Sequence, residues 1–176
     1  MLWRMTDLAL SGAAHVDAST LPVLNHLDML CRVVLASDAT GGAFSLVEER
    51  ARLGCMTPRH VHAREAETFV VLSGALEGWS EGSTQLVEAG QLLHLPAGRE
   101  HAFRIASATA HFYTLITPGG FEAFFAATGR VVAEPFDGEL PLPGPVPPEV
   151  AAALQQALTP LGCTIVGPPP FSPAMG

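Results

Sequence analysis

His60-Val61-His62 is a pair of imidazoles whose use depends on backbone conformation. In a helix, residues two apart point in nearly opposite directions. In a strand they share a face, and both rings project the same way. Pro58 before the pair and the strand-like residues after Glu67 favour extended chain. A tight return from His62 brings the carboxylate of Glu67, at the head of the next strand, beside the two rings. His101 follows the turn Pro96-Ala97-Gly98 and shares a strand face with Phe103 and Ile105. Three imidazole nitrogens and one carboxylate oxygen would hold one divalent ion of iron, manganese, nickel, copper or zinc, with room left for water or substrate. Glu67, as ligand and base in turn, is the candidate catalytic residue. Glu65 has the same strand parity but falls in the expected turn, so Glu67 is preferred.

The elements that must position these residues are short strands broken by turns. The apolar, β-branched run 31–36 reads as a strand, 38–42 as a Gly-rich turn, and 43–50 as a second strand. Further strands are expected at 68–72, 75–79, 84–87, 91–95, 102–105 and 110–116, with a hairpin turn at Glu81-Gly82-Ser83. Spacing this regular argues for an all-β barrel or sandwich. Beyond Pro118 a short helix is expected, with Phe121, Phe124 and Phe125 on one face. Residues 135–148 read as an ordered surface linker. A second helix begins at Pro148, with Val150, Leu154, Leu158 and Leu161 at helical spacing. The expected organisation is an N-terminal arm (1–29), a barrel (30–117) and a C-terminal extension (118–176) packed on the barrel's outside.

The fixed spacings carry a resemblance. Gly54, His60, His62, Glu67 and Gly74, separated by five, one, four and six residues, resemble the first cupin motif at every fixed position. Gly90, Pro96, Gly98 and His101, separated by five, one and two residues, are similar to the second. The fifteen residues between Gly74 and Gly90 match the short inter-motif loop of compact bacterial cupins. The resemblance implies a double-stranded β-helix (jelly-roll) barrel with one or two short C-terminal helices packed outside. It also implies a metal at the barrel's open mouth, held by His60, His62, Glu67 and His101. One position departs from the pattern: Ile105 stands where the second motif has Asn, which makes the barrel interior more apolar.

Other residues carry weaker signals. His94 and His111 lie on expected strands, and His111 is the one that could line a pocket as an acid or base; a structural, hydrogen-bonded role is the simpler reading for both. His15 and His26, in the arm, carry no signal. Cys31, Cys55 and Cys163 have no paired spacing and read as reduced thiols, with Cys55 alone near the expected site. Glu48, Arg50 and Arg52 share a strand face that either enters the barrel or pairs on its rim.

The formal net charge of -8 repels phosphate backbones and anionic lipid, so neither nucleic acid nor membrane is an expected partner. No apolar run approaches a bilayer span and no secretory leader is expected, which points to a cytoplasmic protein. The cupin resemblance also implies a homodimer, formed through sheet faces or through an exchanged N-terminal strand, which residues 1–27 would supply. The function expected is that of a metal-dependent oxygenase of the quercetin-dioxygenase-like type, acting on a small, partly aromatic molecule. A metal-dependent isomerase or lyase, and a non-catalytic small-molecule binding or sensing module, are the alternatives.

Overall fold

The protein is described by a computed structural model that covers residues 13–171. The expected arm falls partly outside these, at residues 1–12, as does the end of the Pro-rich tail, residues 172–176.

Among the described residues, twelve strands form two antiparallel sheets. They are β1 (Val23–His26), β2 (Met29–Leu35), β3 (Ser45–Arg52), β4 (Arg59–His62), β5 (Ala66–Ser73), β6 (Ala75–Ser80), β7 (Ser83–Glu88), β8 (Leu92–Leu95), β9 (His101–Ile105), β10 (Thr109–Thr117), β11 (Arg130–Val132) and β12 (Cys163–Gly167). The helices are α1 (Glu122–Thr128) and α2 (Pro148–Leu158). The larger sheet runs β11-β1-β2-β3-β10-β5-β8 and the smaller β12-β4-β9-β6-β7. Long steps between sequence neighbours carry the chain from sheet to sheet, the jelly-roll pattern.

Alternation sets the faces. Along β10, Ala110, Phe112, Thr114 and Ile116 are buried, while His111, Tyr113 and Leu115 are only partly so. The inward residues of both sheets meet in one core, where Phe69, Val71 and Phe112 from the larger pack with Leu76, Phe103 and Ile105 from the smaller. Gly74, the last fixed glycine of the first motif, joins β5 to β6 at φ +75°, and a Cβ there would run into the Thr109 carbonyl oxygen. The expected hairpin at Glu81-Gly82 closes β6 onto β7, with both residues at positive φ.

The C-terminal residues enter the sheets as well as covering them. β11 pairs with β1, and β12 pairs with β4, the strand that carries His60 and His62. Neither strand was read from the sequence. β1 is paired on both sides within its own chain, by β2 and β11. Helix α1 buries Phe124 and Phe125 as expected, and α2 buries Leu154 and Leu158. Val150 departs from that stripe and is exposed. Residues 135–140 are tied to the outer face of the larger sheet. Phe136 and Leu140 bury against Val23 and Leu30, and Arg50 and Arg52 hold the carbonyls of Phe136 and Leu140.

Candidate metal centre

Strand register brings the candidate ligands together. His60 on β4 stands directly opposite His101 on β9, and His62 lies two residues further along β4. Glu67 opens β5 in the facing sheet, paired with Leu95 and Ile116. The Gly98 N–H donates to the His62 carbonyl at 2.8 Å, so the turn of the second motif is anchored on the strand of the first. One ligand atom from each of His60, His62, Glu67 and His101 lies within 4.8 Å of all the others. His62, Glu67 and His101 are buried and His60 is half-buried.

The hydrogen bonds fix which nitrogens face inward. Nδ1–H of His60 donates to the Pro58 carbonyl and Nδ1–H of His101 to the Arg99 carbonyl, each at 2.9 Å. A carbonyl can only accept, so each neutral ring carries its proton on Nδ1 and turns a bare Nε2 lone pair to the centre. Nε2 of His101 then lies 3.3 Å from Glu67 Oε2, and Nε2 of His62 lies 3.8 Å from Glu67 Oε1. Two acceptors facing each other at that range need a cation between them. In the ion-free protein that cation is a proton: burial works against charge on His101, but the Glu67 hydrogen bond and charge raise its pKa above the usual value. Burial also pushes Glu67 up, and His62, His101 and His60 outweigh it and hold its carboxyl at about 2. Burial brings His60 down to about 4, with His101 adding to the effect, and lowers His62 too. A carboxylate ringed by mostly neutral imidazoles is the protonation state a divalent transition metal takes up, so the residues fit such an ion.

Glu65 is buried and sits on the other side of His62, its Oε2 3.9 Å from Nδ1. Neither atom has a hydrogen-bond partner among the described residues. Glu65 therefore stands behind the ligand ring while Glu67 stands before it. Cys163 corrects a sequence expectation: its Sγ lies 3.9 Å from His62 Nε2, delivered by the β12–β4 pairing. Burial, then Glu67 and Glu65, push its thiol up to about 12, so it stays protonated. Cys55 does line the same cavity, but its Sγ donates to the Asp28 carbonyl at 3.5 Å. All three cysteines are unpaired and buried.

His111 faces away from the barrel interior, where its Nε2 pairs with Glu48 Oε1 at 2.8 Å. Glu48 also takes Arg32 at 2.6 Å, so Glu48, Arg50 and Arg52 belong to the outer face. His94 is exposed and bonds Thr68 Oγ1 at 2.9 Å. The inward carboxylate of β3 is Glu49, which sequence reading passed over although it stands between the inward Val47 and Ala51.

A cavity of about 640 Å³ adjoins the cluster. His60 and Glu67 open onto it, Phe69 and Phe103 form its inner wall, and Phe121, Phe124 and Phe125 of the α1 segment close another side. Polar groups are few: Glu49, whose Oε1 accepts from Thr114 Oγ1 at 2.5 Å, together with His26 and Asp28, are the main ones.

A family profile described as "Cupin domain" matches residues 49–117, the stretch that holds all four candidate ligands. The chain carries a cupin domain. A curated relative, quercetin 2,3-dioxygenase of Bacillus subtilis (strain 168), is 32% identical over 113 residues, covering 64% of this chain and 32% of the relative. The chain thus spans about a third of that relative's length. Among solved structures, a predicted oxalate decarboxylase from Thermotoga maritima is similar at a TM-score of 0.54 and 18% identity, over 60% of this chain and 99% of that one. An RmlC-like cupin from Shewanella frigidimarina NCIMB 400 gives a TM-score of 0.54 at 12% identity, over 63% and 96%. At such identities these two speak for the cupin fold alone. No helix among the described residues is long and apolar enough to cross a membrane.

Proposed function

We propose that this cupin holds one divalent transition metal ion on His60, His62, Glu67 and His101, and acts as a metal-dependent oxygenase on a small, ring-bearing organic molecule. The observation that carries the reading is the pair of facing acceptors, His101 Nε2 and Glu67 Oε2 at 3.3 Å, beside a largely apolar cavity of about 640 Å³. Such an ion would supply Lewis-acid chemistry and, where redox-active, electron-transfer chemistry at this site.

The chain's own residues do the rest. The Pro58 and Arg99 carbonyls hold the His60 and His101 rings in one tautomer and orientation. Glu67, held deprotonated, is placed to take a proton at a carboxylate oxygen from a substrate hydroxyl. Phe69, Phe103 and Phe121 offer ring faces and keep water from the reacting end. The name of the Bacillus subtilis relative supports oxygenase chemistry. Its substrate does not carry over, since only a third of its length is shared.

The test is oxygen uptake by the protein reconstituted with iron, manganese, nickel or copper, presented with hydroxylated mono- and bicyclic aromatics. Substrate-dependent uptake that falls at least a hundredfold in Glu67→Gln is expected, the scale of a lost general base. Binding of the ring compounds without uptake under any metal would replace the oxygenase with the binding-module reading. Turnover that persists without oxygen would replace it with the isomerase or lyase reading.

A further inference from the structure

His26 ends β1 with its ring 4.9 Å from Phe124, edge-on, and 5.0 Å from Phe125. It is 4% exposed and lines the cavity. Neither Nδ1 nor Nε2 has a hydrogen-bond partner among the described residues. Burial brings its imidazole down to about 4, so the ring is neutral and presents one N–H donor and one lone pair. Leaving both unpaired in an apolar wall is costly, and a leucine or phenylalanine would fill the same space without that cost. The hairpin beside it is strained as well: Leu27 and Asp28, both lining the cavity, hold φ of +52° and +62° without being glycine.

The charge around the cavity narrows what His26 could meet. No arginine among the described residues lines it, and the chain contains no lysine. Its acidic groups are Asp28, Glu49 and Glu67. An anionic group away from the metal end would find no counter-charge there. Rings dominate the walls, and contacts through Phe121 and Phe124 connect the His62 ring to His26.

We propose that His26 is a second polar anchor of the cavity: it hydrogen-bonds an uncharged hydroxyl or carbonyl group on an apolar, ring-bearing ligand whose reacting end lies at His60 and Glu67. This rests on the cavity being the ligand site of the proposed function, but not on the identity or presence of the metal. His26 is a positioning residue, since it acts on the part of the ligand that does not react.

The test uses naphthalene, 2-naphthol and 2-naphthoate as ligands, titrated calorimetrically into the full-length protein as purified and again after EDTA treatment. The expected result is 2-naphthol binding about tenfold tighter than naphthalene, the scale of one buried hydrogen bond, with 2-naphthoate weaker than 2-naphthol in the stripped protein. In His26→Phe, which keeps the ring packing, naphthalene affinity stays and the preference for naphthol disappears. In wild-type protein with ¹⁵N-labelled histidine, the His26 ring resonances shift with 2-naphthol and not with naphthalene, a readout that stands even if the variant fails to fold. Equal affinities in the wild type, an undiminished preference in His26→Phe, or no binding of either compound would overturn the proposal. So would a preference that vanishes on chelation, since the metal end would then be reading the hydroxyl. Protein that takes up no metal even on reconstitution but still prefers naphthol through His26 would leave this inference standing while the metal reading fails.

Discussion

Among the described residues Glu49 has no counter-ion. Its partner is the Thr114 hydroxyl, and burial pushes its carboxyl up to about 8, with the nearby Glu67 charge adding to the shift. The folded chain therefore keeps a proton that the unfolded chain, with a pKa near 4.5, gives up. Stability must then fall as pH rises from about 4.5 to 8, by at most about 1.4 kcal/mol per unit from this group. Glu49→Gln keeps the acceptor for Thr114 and removes the titration. Urea denaturation of metal-free protein should show the variant gaining on wild type as pH rises from 5 to 8. Parallel pH profiles would show that Glu49 is charged in the fold. His101 contributes in the same sense, because the Glu67 hydrogen bond and charge raise its pKa in the fold and the two share a proton until a metal arrives. Metal uptake near pH 6.5 should expel about one proton, and calorimetry in buffers of different protonation enthalpy reads it directly. No proton release would mean that the His101 Nε2 lone pair is already free.

At the scale of elements, the junction of β5 and β6 tests how the motif glycines work. Gly74→Ala adds a Cβ at positive φ that meets the Thr109 carbonyl, on the strand neighbouring β5. It should cost roughly 2–4 kcal/mol, read as a lower urea midpoint, with metal stoichiometry unchanged in the protein that remains folded. A neutral substitution would mean the turn relaxes freely. The strands from β2 to β10 were legible because period-two burial and turn residues are local signals, as along β10 from Thr109 to Thr117. The pairings of β11 and β12 were not. Cys163–Gly167 joins β4 across a hundred residues of chain; its β-branched run Thr164-Ile165-Val166 is a local strand signal that went unread, but nothing local names its partner. The four candidate ligands could be read from fixed spacing, whereas His26, Glu49 and Cys163 belong to no fixed spacing. Which way those three side chains point depends on pairings between distant segments: β1 with β11, β3 with β10, and β12 with β4.

Over the whole molecule, the two sheets divide the work. The smaller sheet supplies the three imidazoles, from β4 and β9, and the larger supplies Glu67 from β5. The C-terminal residues then close the cavity with α1 and α2 and press β12 against the strand of His60 and His62. The cluster thus joins both faces of the jelly roll, and an ion bound only by the folded state would stabilise the whole chain. Elemental analysis of protein purified without a nickel column, beside a His60→Ala/His101→Ala double variant, tests the central claim most directly. About one equivalent of a first-row transition metal in the wild type, absent from a variant that still folds, is the expected result. No metal in the wild type even after reconstitution, or equal metal in both proteins, would contradict it.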